Sequence, residues 1–299
     1  MIDIAFLGTG AMMPTADRWL SSALMRIGSQ LILLDCGEGV QIPWRSTGWG
    51  FKRLDLICIS HWHADHIAGL PGVLHALALA DRQKPVTIIG PKGTRDIVTS
   101  LRQLAPVLPF DLVTVDLADG QHWQSGPVTI DVRLGDHRIP VLVYRFSLAR
   151  RPTFLVEMAQ QRNVPRERWS TLADGADVDG WQAADFTGPP RRGLSIGFMT
   201  DTRPTKTARD LLDGVDLLIA DGTYGDDADL ANAIQNKHMT FREAAAFAQT
   251  AGVERLILTH FSPKIADPDA WLVNATSEFS ATELADPRTV ISLNFPDSG

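Results

Sequence analysis

A mixed α/β fold, in which helices cover sheets of both strand directions, is what this 299-residue sequence predicts. Three observations carry that expectation. Short apolar runs recur along the chain with helical stretches between them. Two segments, 128–134 and 141–147, alternate apolar and polar residues, as half-buried antiparallel strands do. Several other runs are almost continuously apolar, as strands buried on both faces are.

In chain order, residues 2–7, 24–27 and 31–35 read as strands, with turns at Gly8-Thr9-Gly10 and Gly28-Ser29. A buried strand over 54–59 is followed by a helical stretch over 67–79, a strand over 86–90, a helix over 94–105 and a strand over 111–116. After the two alternating segments, 193–200, 217–221 and 255–259 are apolar strands. Thr240-Phe241-Arg242-Glu243 forms a capping box that opens an Ala-rich helix ending near Gly252. Residues 148–192 differ from the rest: the segment is irregular, rich in Arg, Trp, Asp, Gly and Pro, and closes on Gly188-Pro189-Pro190-Arg191-Arg192. It reads as an arm inserted into one domain spanning 1–299.

Hydrophobic content of 44% and charged content of 21% are those of an ordinary globular protein. No run has the length of a membrane span, and the N-terminus enters a strand without the basic region of a signal peptide. Cys36 and Cys58, the two cysteines, each lie in an apolar run and read as buried free thiols, so a cytoplasmic protein is expected. The net charge of −7 argues against diffuse attraction of the surface to nucleic acid and leaves room for a local basic patch.

The densest chemistry lies directly after the strand at 54–59. Ser60-His61-Trp62-His63-Ala64-Asp65-His66 packs three imidazoles and a carboxylate into six residues. Alternate residues of an extended segment share a face, so His61 and His63 project together. Imidazole nitrogen and carboxylate oxygen are the donors that zinc and similar divalent metals prefer. His137, Asp201 and His260 each follow an apolar strand in the same manner. Together these are five histidines and two aspartates at strand ends, enough for two adjacent metals with a bridging carboxylate. His238 stands two residues before the proposed helix cap Thr240, near the positive end of a helix dipole, where an imidazole can protonate a leaving alkoxide. His75 reads as a helix-surface or core residue and His122 as a loop residue.

These residues resemble the metallo-β-lactamase-fold hydrolases and, within them, ribonuclease Z, the endonuclease that trims tRNA 3′ trailers. The resemblance rests on Phe6-Leu7-Gly8-Thr9-Gly10, Asp35-Cys36-Gly37-Glu38-Gly39, Ser60 to His66 continued by Ala68-Gly69-Leu70-Pro71-Gly72, Thr200-Asp201-Thr202-Arg203-Pro204, and Leu258-Thr259-His260-Phe261-Ser262-Pro263. It implies a four-layer sandwich, two mixed sheets inside and helices outside, with metals where strand ends meet at one edge. By position it assigns His61, His63 and His137 to one zinc, Asp65, His66 and His260 to a second, and Asp201 to the bridge between them. Mn²⁺ or Fe are the other metals such donors accept. Asp35 would orient the ligand loop from behind, and a hydroxide between the metals would be the nucleophile. Asp65 would also accept a proton, and His238, oriented by Asp221, would assist departure of the 3′ oxygen. A homodimer and a precursor-tRNA partner come with the same resemblance.

Three departures from the family pattern stand out. Ala220-Asp221-Gly222-Thr223 replaces a His-Glu-Ala-Thr run, so a shorter carboxylate has further to reach to touch His238. The loop after Pro14-Thr15 reads Ala16-Asp17-Arg18-Trp19, without the usual Arg-Asn that discriminates CCA ends. The arm, lysine-rich in the family, here carries seven Arg against six Asp and Glu between 150 and 192. Arg18, Arg166, Arg168, Arg191 and Arg192 are the RNA-contact candidates, the last four joined by Arg150 and Arg151 as a patch beside Trp169 and Trp181. A small phosphodiester or other ester is the alternative substrate, and a metal-stabilised scaffold without activity is the non-enzymatic one.

Overall fold

The computed structural model describes residues 1–105 and 107–296. Six strands follow one another through the first half: β1 (Ile2–Gly8), β2 (Ser22–Ile27), β3 (Gln30–Leu34), β4 (Leu54–Cys58), β5 (Val86–Gly90) and β6 (Leu112–Asp116). Seven more follow: β7 (His122–Ser125), β8 (Val128–Leu134), β9 (Leu142–Arg150), β10 (Arg191–Met199), β11 (Leu217–Asp221), β12 (Leu256–Thr259) and β13 (Thr282–Leu284). The last strand, β14 (Val290–Leu293), returns to pair antiparallel with β1. Two seven-stranded sheets result, ordered β14-β1-β2-β3-β4-β5-β6 and β13-β12-β11-β10-β9-β8-β7. Both are mixed. In the first, β3 to β6 run parallel; in the second, β10 to β13 do.

Apolar clusters account for the layering. Between the sheets lie Phe6, Met25, Leu56, Tyr144, Phe146, Ile196, Ile219 and Ile257, all buried. The outer face of the first sheet is covered by α1 (Gln41–Ser46), a short α2 (Ala64–Ile67), α3 (Leu70–Leu79) and α4 (Thr94–Arg102), packing on Leu33, Leu54, Ile57 and Ile88. On the outer face of the second, α7 (Lys206–Leu211), α9 (Phe241–Thr250) and α10 (Leu272–Thr276) cover Leu218, Ala220 and Leu258. Strands sandwiched this way are buried on both faces, which is why β4, β11 and β12 read as continuous apolar runs. Aspartates and histidines lie at or just beyond the ends of β3, β4, β8, β10, β11 and β12, and those ends gather at one edge.

Several expectations change. The helix expected over 67–79 starts as α3 at Leu70, with the short α2 before it, because the Gly69 amide donates out of the helix to the Cys36 carbonyl and Pro71 has no amide to donate. His122 opens strand β7 rather than lying in a loop, because Gly126 in the left-handed region (φ 56°) closes a hairpin onto β8. His75 is exposed on α3. The arm is shorter and more ordered than 148–192 suggested: β9 runs to Arg150, β10 starts at Arg191, and these two residues pair. Between them, α5 (Val156–Gln161), α6 (Trp169–Ala173) and short 3-10 turns close over a separate small cluster, Ala159, Val164, Leu172, Ala183 and Phe186. α8 (Leu230–Asn236) precedes α9 and ends in a left-handed Lys237.

Candidate metal centre

At the edge where strand ends meet, the chain turns sharply at three charged residues. Asp35 (φ 55°), Asp201 (φ 50°) and His260 (φ 63°) all sit in the left-handed region, which costs a non-glycine residue about 1 kcal/mol or more. Each leaves a strand end there and turns its side chain inward, where all three are fully or nearly fully buried. His61 and His63 leave β4 in extended chain, and α2, starting after His63, presents Asp65 and His66.

The ligand atoms of His61, His63, His137 and Asp201 lie within 4.8 Å of one another, as do those of Asp65, His66 and His260. Asp201 belongs to both neighbourhoods. Its Oδ1 is 3.3 Å from His66 Nε2 and 3.1 Å from His260 Nε2, while its Oδ2 faces His61 Nε2 at 3.7 Å. Asp65 Oδ2 lies 3.7 Å from His66 Nε2 and 3.6 Å from His260 Nε2.

Hydrogen bonds behind the rings decide whether a cation fits. Asp35 Oδ2 accepts from His66 Nδ1 at 2.7 Å and from the Ser60 hydroxyl at 2.8 Å. With its own hydrogen on Asp35, Ser60 Oγ is left to accept from His61 Nδ1 at 3.0 Å. The Lys237 carbonyl accepts from His137 Nδ1 at 3.2 Å, and Thr223 Oγ1, whose hydrogen goes to Asp221, accepts from His260 Nδ1 at 2.9 Å. Every Nδ1 proton so placed leaves a lone pair on Nε2. The His66 and His260 Nε2 atoms then face each other at 3.2 Å, and His61 and His137 Nε2 lie 2.9 and 3.2 Å from His63 Nδ1. Lone pairs crowded so closely repel unless protons or cations stand between them. The donor set therefore fits divalent metal, with partners that fix tautomer and orientation.

Charge regulation says the same. Burial, helped by neighbouring His66, pushes His61 well down, and burial also lowers His63 and His137, so these rings are neutral donors. Burial opposes protonation at His66 and His260 too and is the largest single effect, but carboxylates acting together outweigh it, Asp201 and Asp35 at His66, Asp201, Asp221 and Asp65 at His260: His66 is held well above its ordinary value and His260 is pushed up to about 10. Burial would raise the Asp65 and Asp201 carboxyls, yet the adjacent imidazoles hold both below the usual carboxylate range.

His238 forms a further group with Asp201, Asp221 and His260. Its Nδ1 is committed to Asp221 Oδ2 at 2.9 Å, so these two read as a hydrogen-bonded pair. The shorter Asp side chain thus reaches His238. Thr223, which sequence reasoning passed over, ties the group together, since its hydroxyl also lies 3.1 Å from His238 Nδ1. The capping box of α9 is present, and its Glu243 pairs with Arg203, which donates to the His238 carbonyl. Equally unforeseen was the Met12 amide, which donates to Asp65 Oδ2 at 2.7 Å. No residue-type signal marks a main-chain donor or a lone threonine in advance.

His63, Asp65, His137, Asp201, Thr223, His238 and His260 line a cavity of about 430 Å³ together with Met12, Arg138, Tyr224, Asn236 and Lys264. A larger cavity of about 650 Å³ lies beside Arg18, Asp269, Glu283 and Asp286, but its lining includes none of the seven clustered ligands. Arg18 is drawn inward there, donating to the Ile265 carbonyl and lying 5.6 Å over the Phe261 ring. Of the other arginine candidates, Arg168 pairs with Asp179, Arg192 with Asp216 and Glu254, and Arg166 lies over Trp169, 5.4 Å from the ring centre; Arg191 engages within the chain.

Comparison with known proteins follows the same lines. The family model described as beta-lactamase superfamily domain matches residues 30–261. The chain is 40% identical over 301 residues to the ribonuclease Z of Lachnoclostridium phytofermentans, covering 99% of each. It is 38% identical over 310 residues to that of Clostridium tetani, again covering 99% of each. Among solved structures it is similar to the short form of human tRNase Z, with a TM-score of 0.71 and 25% identity over 99% of this chain and 100% of that one.

Proposed function

Since the chain belongs to the ribonuclease Z family of metallo-β-lactamase-fold endoribonucleases, we propose that it removes 3′ trailers from precursor tRNA at a pair of zinc ions. The observation that carries this is the convergence of six donors around Asp201, with His238 alongside. In this reading His61, His63 and His137 would hold one ion and Asp65, His66 and His260 the other, with the Asp201 carboxylate in reach of both sets. When bound, two such ions supply Lewis-acid polarisation of the phosphodiester and a nucleophile available at neutral pH.

The chain's own groups do the rest. Asp35 and Thr223 orient the imidazoles and hold their Nδ1 protons away from the cavity. Asp221 holds the Nδ1 proton of His238 and, by its charge, raises that ring's pKa against the effect of burial. The ring's Nε2 proton is then available for the departing 3′ oxygen. Arg138 and Lys264 on the cavity wall offer positive charge to flanking phosphates. The proposal extends to a homodimer in the cytoplasm, where Cys36 and Cys58, buried and unpaired, stay reduced.

The test is a trailer-bearing precursor tRNA incubated with the zinc-loaded protein. A single cut after the discriminator base is expected, with Asp201→Ala slower on the order of a thousandfold. Failure of the loaded wild-type protein to cut any such precursor would sink the proposal. One observation favours a small phosphodiester instead: the arm's arginines are neutralised locally, Arg162 by Asp185, Arg168 by Asp179 and Arg151 by Asp174. Competition separates the two, because intact tRNA inhibits hydrolysis of a chromogenic phosphodiester at low salt only if RNA occupies the same cavity.

A further inference from the structure

Met12 has a backbone that its side chain does not suit. Its φ of 61° lies in the left-handed region, where a long side chain is strained and a glycine is not. The surroundings enforce it: the flanking Ala11 amide donates to the Phe261 carbonyl at 3.0 Å, and Met12's own amide donates to Asp65. Glycine would supply the same N–H without strain, so what the position gains from methionine is the side chain. That side chain is not spent on the core. It is 71% exposed, it lines the metal cavity beside His63, Ala64 and Asp65, and Met13 next to it is 68% exposed.

We infer that Met12 is a contact for the nucleobase 3′ to the cleaved bond, an inference that rests on the RNA-cleaving reading above. His238 sits with Tyr224 (ring centres 6.4 Å apart) and with Asn236, whose amide donates to the Tyr224 hydroxyl at 2.8 Å; Met12 belongs to the Asp65 side. With the leaving 3′ oxygen at His238, the nucleotide that keeps the phosphate leaves the cavity away from His238, along the side where Met12 stands. The next group that nucleotide offers is the flat apolar face of its base. An unbranched, polarisable thioether adapts to any such face and makes favourable sulfur–aromatic contacts, so the contact is indifferent to sequence.

The test is a cycle on two precursor substrates, one intact and one with an abasic first trailer nucleotide, cut by wild-type protein and by Met12→Gly. Wild type is expected to lose about 3- to 10-fold in kcat/KM on the abasic substrate. Met12→Gly is expected to lose as much on the intact one and nothing further on the abasic one. Its Tm should equal or exceed that of wild type, because the strain is relieved. Met12→Gln, which keeps length and changes polarity, runs through the same cycle and covers the case in which the glycine variant does not fold. Equal cutting of the intact substrate by wild type and both variants overturns the inference, as do losses that simply multiply. A wild-type protein that cuts neither substrate refutes the underlying function instead, so the two failures are distinct.

Discussion

Protons and metal compete for the same lone pairs in this site. In the metal-free chain the pKa of the His260 proton is pushed up to about 10, because Asp201, Asp221 and Asp65 together outweigh burial. That proton stabilises the metal-free fold fully below the ordinary histidine value near 6.5, and the contribution fades as pH climbs towards 10. Metal must displace it. Zinc added at pH 7.5 should therefore release protons, measured as a buffer-dependent heat in calorimetry, and affinity should fall steadily as pH is lowered. His238 works the other way round, because its proton is put to use. Asp221 raises its pKa against burial, so Asp221→Asn should move the alkaline limb of the pH–rate profile to lower pH and cut kcat on the order of 10- to 100-fold. An unmoved limb would show that His238 is not the acid. His61, His63, Asp65 and His66 were legible as one dense loop, His137, Asp201 and His260 as polar residues ending apolar runs, and His238 by its place before a helix cap. Asp35 and Asp221 were expected only through the family resemblance. Thr223 and the Met12 amide were not legible, since one is a common residue type and the other is main chain.

The loop that carries Asp65 and His66 owes its position to a contact between backbones. Gly69 donates to the Cys36 carbonyl at 2.9 Å, and the Cys36 amide returns to the His66 carbonyl at 2.7 Å. The turn after β3, which holds Asp35, is thus clamped to the start of α3. A methyl group at Gly69 would sit 2.0 Å from the Gly37 oxygen and 2.9 Å from that of Cys36, neither of which is a flexible side-chain end. Gly69→Ala should therefore cost about 2–3 kcal/mol, read as a Tm lowered by several degrees, and weaken zinc binding in chelator competition. Wild-type Tm in this variant would show that the clamp is dispensable. Most strands were legible, because burial on both faces leaves continuous apolar runs. The short edge strands β7, β13 and β14 were not: their exposure weakens that signal, and for β13 and β14 pairing partners distant in sequence, Ile2 with Leu293 for one, decide them.

The arm joins the sandwich through the paired ends of β9 and β10 and carries its own small apolar cluster. Replacing residues 152–189 with a two-residue Asn-Gly turn should leave a folded protein with a Tm within about 5 °C of the parent. If the arm grips RNA, kcat/KM for precursor tRNA should fall at least 10-fold relative to that for a chromogenic phosphodiester, and its salt dependence should flatten. An unchanged ratio would assign the arm a purely structural part. The paired arginines make this a real question. Seven Arg against six acids is a composition, whereas local neutralisation is a matter of which residues meet.

What could be read along the chain was whatever has a local cause: apolar runs that must be buried, a capping box whose two partners lie three residues apart, and a cluster of metal donors within six residues. What needed the folded chain was everything set by meetings between distant segments. Asp201 between two donor sets and Asp221 beside His238 were expected only through the family resemblance, while Thr223 joining two imidazoles and Met12 held in a left-handed turn over Asp65 came with the fold alone. The reason is physical: a side chain's type declares what it can bind, but its partner is chosen by packing, and packing is a property of three dimensions.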